Sequence, residues 1–216
     1  PTPVCGVITL ENDTVYIFTT GNYDFGTDKI QCGARNVLIG QGTNVTFIQS
    51  GIVGDVFITS NTAGGSLTIK DMLISQSDNT ATVFDFQDLQ ELILFDAIFS
   101  TAGTVGTMNA IQTMRCVGKS AFVGYSTGLT ISGANGTFMF DRLGFVNTGG
   151  SPASVSVDVV AGASFSLFLQ FAGGLAIVPP GTTAFNVDPT VTFSEEGYII
   201  AAFQFRGGGT PLSGIT

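Results

Sequence analysis

Apolar and polar positions alternate along this chain in short runs, and the runs recur. SLTIKDMLISQS (Ser66 to Ser77) is the clearest: Leu67 and Ile69 lie on one side of an extended segment, Asp71 stands at a bend, and Leu73 and Ile74 follow. ELILFDAIFSTA (Glu91 to Ala102) repeats it closely, TFMFDRLGFVNT (Thr137 to Thr148) and SFSLFLQF (Ser164 to Phe171) loosely. The first apolar pair of each run gives the marker series Val45/Phe47, Leu67/Ile69, Leu92/Leu94, Ile111/Thr113, Phe138/Phe140, Phe165/Leu167 and Val191/Phe193, recurring about every 25 residues. Alternation of period two predicts strands. A repeat of that length built from strands predicts an all-β chain wound as a parallel β-helix, a solenoid.

Divided at the first strand of each turn, the units start at Asn36, Asp55, Ala81, Gly106, Gly128, Ser154 and Thr182, which predicts about seven turns of three short strands. NVLIG, DVFITS, ATVFDF, GLTISG, SVSVDVV and TTAFNVD open the turns, and SAFVG and EGYIIAAF are third runs. Val, Ile, Phe and Thr fill the runs, while Gly, Asn, Asp and Ser fill the joints. Residues 1–35 do not match the repeat and are expected to form two or three strands capping the coil; 36–206 form the β-helix, and 207–216 have the composition of a tail or linker. The unit Gly106 to Thr127 is the least regular, and FQDLQEL (Phe86 to Leu92) is the one short helix candidate. Pro179-Pro180 marks a rigid loop.

Stacked turns place equivalent residues about 4.8 Å apart, so columns of Phe, Leu, Ile and Val are expected to fill the bore. Nineteen Phe and no Trp suit such a core, because phenyl rings stack without an N–H to satisfy. Tyr16, Tyr23, Tyr125 and Tyr198 are the aromatic candidates for the surface. Hydrophobic residues make up 44% of the chain and charged ones 11%, against about 25% in an average domain. Mean hydropathy is +0.42, yet no apolar run is long enough to span a bilayer as a helix. The excess apolar surface points to association with copies of itself.

The net charge of −9 and the absence of histidine bear on chemistry. Seven scattered Lys and Arg residues assemble no basic patch, so nucleic acid is an unsuitable partner. No histidine means no imidazole base or metal ligand. No phosphate-cradling or triad motif is present, and no cofactor is called for. Asp13, Asp24 and Asp28 lack the spacing of a calcium loop, and Glu195-Glu196 reads as a solvated bend, so no metal site is assigned. Of Cys5, Cys32 and Cys116, a Cys5–Cys32 bridge and buried free thiols are both open readings. An ice-binding face would need a regular TxT ladder, and the threonines read as scattered.

One column remains. Aligned at the bend, the second runs place Asp71, Asp96, Arg115 and Arg142 together, with Asp141 replacing Arg142 if that turn slips by one residue. Asp71 and Asp96 would then stand about 5 Å apart. They are the only candidate catalytic residues: a carboxylate pair of the kind polysaccharide-cleaving sites use, or a corner ladder in which Asp caps turn amides.

The opening GVITLENDTVYIFTTGNYDFGTDKIQCGARNVLIGQGTNVTFIQSG, with its ITLENDTVYIF strand, DFGTDKI segment and NVLIGQGT lead-in, resembles right-handed parallel β-helix proteins among tailed-phage structural proteins, related in architecture to pectate lyases. The likeness covers about the first 50 residues directly and the rest in repeat style. It implies a non-enzymatic fibre, spike or capsid-surface protein, homotrimeric, located at the virion surface, with other virion proteins and a host surface glycan as partners. No catalytic residue of lyases or tailspikes carries over by position. A polysaccharide-binding or polysaccharide-degrading β-helix, using Asp71 and Asp96, is the alternative.

Overall fold

The computed structural model describes residues 6–147, 155–194 and 197–213, with 198–201 described in backbone only. All regular structure among them is β, in parallel ladders that wind about eight turns. No helix long and apolar enough to cross a membrane occurs among the described residues.

The coil has three faces. Face 1 is a nine-stranded parallel sheet: Val7–Thr9, Lys29–Cys32, Val56–Ser60, Thr82–Gln87, Thr104–Asn109, Thr127–Ser132, Val155–Val159, Thr183–Val187 and Thr210–Ser213. Faces 2 and 3 belong to one 11-stranded sheet that folds around a corner. Its long strands Ser66–Gln76, Glu91–Thr101, Thr137–Val146, Phe168–Ile177 and Gly197–Arg206 each supply both faces, so the run bent at Asp71 spans two faces and GYIIAAF, read as a third run, is part of such a long strand. A three-stranded sheet, Ala134–Asn135, Ser164–Phe165 and Thr192–Phe193, lines a further edge of the later turns. Strands occur on both sides of the expected boundaries at 36 and 206: Val7 pairs with Lys29, and Thr210 with Thr183.

Ladder register corrects one of the turn-opening runs and four places of the marker series. NVLIG is a face 2 strand paired with Thr68 and Ile69, so the face 1 strand of its turn is Lys29–Cys32. Val45/Phe47 lies a face too late, since Phe47 pairs with Leu73 on face 3. In the irregular unit, Leu92 pairs with Met114 and not with Ile111, which is a buried corner residue outside any strand. Phe165 and Phe193 belong to the small sheet, whereas the partners of Phe138 are Met114 and Leu169. Ile111 imitates a strand residue because it too buries its side chain in the bore, while Phe47, Phe165 and Phe193 are strand residues that belong to a different face or sheet.

The helix candidate is also overturned. Thr82–Gln87 and Glu91–Thr101 are strands, and the chain turns from face 1 to face 2 between them through Asp88 at φ 57°, with Leu89 fully buried. The ladders on either side satisfy the backbone groups that a helix would have bonded internally.

Phenylalanines fill the bore as expected. Phe99, Phe122 and Phe145, successive partners on the inner side of face 3, have ring centroids 5.6 and 5.7 Å apart, and Phe140 stacks on Phe171 at 4.6 Å. Each such burial stabilises by about 1.5–3 kcal/mol. Tyr125 is no surface residue: it is fully buried, which drives its pKa upward, and its hydroxyl donates to Ser156 Oγ at 2.8 Å, which offsets part of that rise. Tyr16 and Tyr23 are half-buried, their hydroxyls engaged by the Glu11 amide and the Thr19 hydroxyl, and the Tyr198 side chain lies outside the described residues.

Candidate functional site

The corner between faces 2 and 3 is where the candidate carboxylates stand. Lys70 pairs with Phe95 and Met72 with Ala97, which sets Asp71 beside Asp96 in adjacent turns. Further along, the column continues through Gly118, Arg142, Gly173 and Ala202. All six have positive φ: Asp71 55°, Asp96 46°, Gly118 80°, Arg142 58°, Gly173 66° and Ala202 52°. A single left-handed residue turns each strand through the corner while the ladder holds on both sides. Asp and Gly tolerate that region; Arg and Ala are strained there by about 1–2 kcal/mol.

Arg115 is therefore not in the column. It pairs with Ile93 and Met139 on the outer side of face 2, and Gly118 takes the corner position. Glycine is required there twice over, since a Cβ would lie 2.2 Å from Asp96 Oδ1. Arg142 does occupy the column, so the register has no slip, and its Nε lies 3.4 Å from Asp141 Oδ2.

The two aspartates are occupied differently. Asp96 Oδ1 accepts from the Lys119 amide of the following turn at 2.5 Å, bonding one corner to the next. Asp71 Oδ2 lies 3.5 Å from Lys70 Nζ, which also sits over the Phe95 ring at 5.0 Å. Both aspartates are half-buried. Neither lines the cavity of about 370 Å³ bounded by Asp24, Gly26, Gln49 and Ser75, nor the one of about 100 Å³ beside Thr127, Thr130 and Asp158.

The remaining candidates are dispersed. Asp13 forms a bidentate pair with Arg35 that lowers its pKa, and Asp24 Oδ1 accepts from the Gly26 amide at 2.8 Å. Among the described residues no group of three or more Cys, Asp or Glu is placed to hold a metal. Cys32 and Cys116 are buried free thiols, pushed up to about 12 by desolvation, while Cys5 and Glu195-Glu196 lie outside the described residues.

A polar ladder that alternation concealed lies on the outside of face 1. Its strands bury two consecutive residues, as in Phe57-Ile58, Val83-Phe84 and Ala184-Phe185, so outward positions are three apart and not two. One outward column reads Val56, Thr82, Thr104 and Thr127, then Val155, Thr183 and Thr210. The threonines are thus stacked and not scattered. The neighbouring column, Thr59, Asp85, Thr107, Thr130, Asp158, Asn186 and Ser213, bonds within itself: Thr107 and Gln87 donate to Asp85, and Asn186 donates to Asp158 at 2.8 Å. A signal was available in the recurring Thr-x-x-Thr or Thr-x-x-Asp of TVFD, TVGT and TGLT. The sequence matches no protein-family model, and no curated protein is significantly similar to it.

Proposed function

We propose that this chain is a non-enzymatic structural module that displays a rigid parallel β-helix at the surface of a phage particle, as a fibre, spike or decorating protein, and that it self-associates there. The observation that carries the reading is the use made of polar side chains: the Asp96 carboxylate bonds the next corner, and the face 1 carboxylates bond their ladder neighbours. Groups so engaged hold turns in register and lend rigidity, while apolar residues stand outward on face 2, among them Ile17 at 69%, Val15 at 54% and Phe95 at 37% exposure. The resemblance of the first 50 residues supports the phage setting.

The alternative, a polysaccharide-cleaving coil, rests on the one-rung spacing of Asp71 and Asp96, about 5 Å, which suits a retaining pair. One experiment separates the two readings. Asp71→Asn and Asp96→Asn variants are assayed against a panel of bacterial surface polysaccharides, for binding and for release of reducing ends. The structural reading expects no turnover by wild type and unchanged glycan affinity in both variants; turnover abolished by either substitution overturns it.

A further inference from the structure

The outer side of face 3 is unlike the other two. Ladder register stacks eight rungs there in two outward columns. One runs Asn22, Phe47, Leu73, Ile98, Ala121, Gly144, Leu175, Gln204, and the other Asp24, Gln49, Ser75, Ser100, Val123, Val146, Ile177, Arg206. Face 1 carries Lys29, Asp85 and Asp158 on its outside, and face 2 carries Lys70, Arg115 and Asp141. Among the described residues of the face 3 strands the only charges are Asp24 at the first rung and Arg206 at the last, of opposite sign. Arg206 makes no ion pair among the described residues.

We infer that face 3 is the surface on which this chain pairs with a second copy of itself, the two coils antiparallel about a two-fold axis. The inference rests on the self-association reading and names its face. Turning one copy end for end sets rung one against rung eight. Asp24 then meets Arg206 of the other copy at both ends, and Asn22 meets Gln204. Inside them large residues face small or flat ones: Leu73 faces Gly144, Ile98 faces Ala121, and Phe47 faces Leu175. Pairing in parallel, about an axis along the coil, would instead set the first column on the second, so that Asp24 faces Asn22, Arg206 faces Gln204, and neither charge meets its opposite. Opposite charges at the rim and complementary volumes inside are what specific self-pairing requires. Eight rungs about 4.8 Å apart and roughly 13 Å wide bury about 900 Å² over two copies, the range of weak and transient pairs, so the dimer forms at the concentrated end of a dilution series.

The test is light scattering on the full chain from dilute to concentrated solution. The expected mass is twice 22.4 kDa at high concentration. Asp24→Arg alone and Arg206→Glu alone each weaken the dimer about ten-fold by replacing two attractive contacts with two repulsive ones, and the double swap restores it. Ile98→Glu, with an unchanged melting curve, weakens it about a hundred-fold, whereas Ile93→Glu on face 2 leaves it intact. A monomer at every concentration overturns the self-association reading itself. A trimer, or a dimer that ignores the face 3 substitutions or fails to recover in the double swap, overturns this inference and leaves that reading standing.

Discussion

At the scale of single residues, the corner column shows how a left-handed backbone position selects its side chain. Asp96 satisfies the conformation and also accepts the Lys119 amide, so its replacements should rank by how much of each role they keep. Asp96→Asn retains both and should melt near wild type. Asp96→Gly keeps the conformation only, and Asp96→Ala keeps neither, losing about 1–2 kcal/mol in chemical denaturation. Titration follows the same residue-level logic. Asp13, Asp55, Asp78 and Asp188 have pKa values held below 3.8 by hydrogen bonds or ion pairs, so their contribution is present above the unfolded value and is lost as pH falls through the lower folded one. The buried thiols act oppositely: raised from 9.0 to about 12, they favour the folded state below pH 9.0 and lose that contribution as pH rises from 9.0 towards 12. With no histidine, the melting temperature should be flat between about pH 5 and 8 and decline on both sides. A step near pH 6.5 in calorimetry would contradict this account.

At the scale of elements, each strand is held by the one below it, and two kinds of contact decide the fit. Inward rings bear on their counterparts, so Phe122→Ala, which opens a gap between Phe99 and Phe145, should cost about 3–5 kcal/mol in urea unfolding. Backbones also approach closely at turns: a Cβ on Gly136 would lie 1.9 Å from the Gln112 carbonyl oxygen, and Gly136→Ala should destabilise by about 2 kcal/mol or more. Strand content was legible from alternation because a half-buried strand must place every second residue inward. Its failures have the same origin. The doubled inward residues of face 1, the buried corner residue Ile111 and the buried Tyr125 all present the bore with an apolar group that strict alternation does not expect. The candidate site was legible in part: Asp71, Asp96 and Arg142 were aligned correctly, and Arg115 entered the column because the buried corner residue Ile111 imitates Met114, the true partner of Leu92 three residues further on.

At the scale of the whole molecule, low charge density governs behaviour. Net charge is −9 at neutral pH, and the isoelectric point is about 4.1. Near that pH the repulsion between copies vanishes while the outward apolar residues remain, so turbidity should peak around pH 4 and clear above pH 6, with little further clearing from added salt. Maximum solubility near pH 4 would refute the view that charge repulsion keeps these surfaces apart.

Periodicity, composition and turn chemistry by themselves determined that this protein is a parallel coil of about 25-residue turns with a phenylalanine-filled bore. They also determined that two aspartates one turn apart mark a bend. These are local properties, carried by residue spacing and by the low tolerance of most residues for left-handed backbone. Only the tertiary structure decided which strand lies over which, because corner and strand residues bury equally well and loop lengths differ from turn to turn. Register alone brings Asp24 and Arg206 to opposite ends of one face, from positions 182 residues apart, and leaves no charge between them.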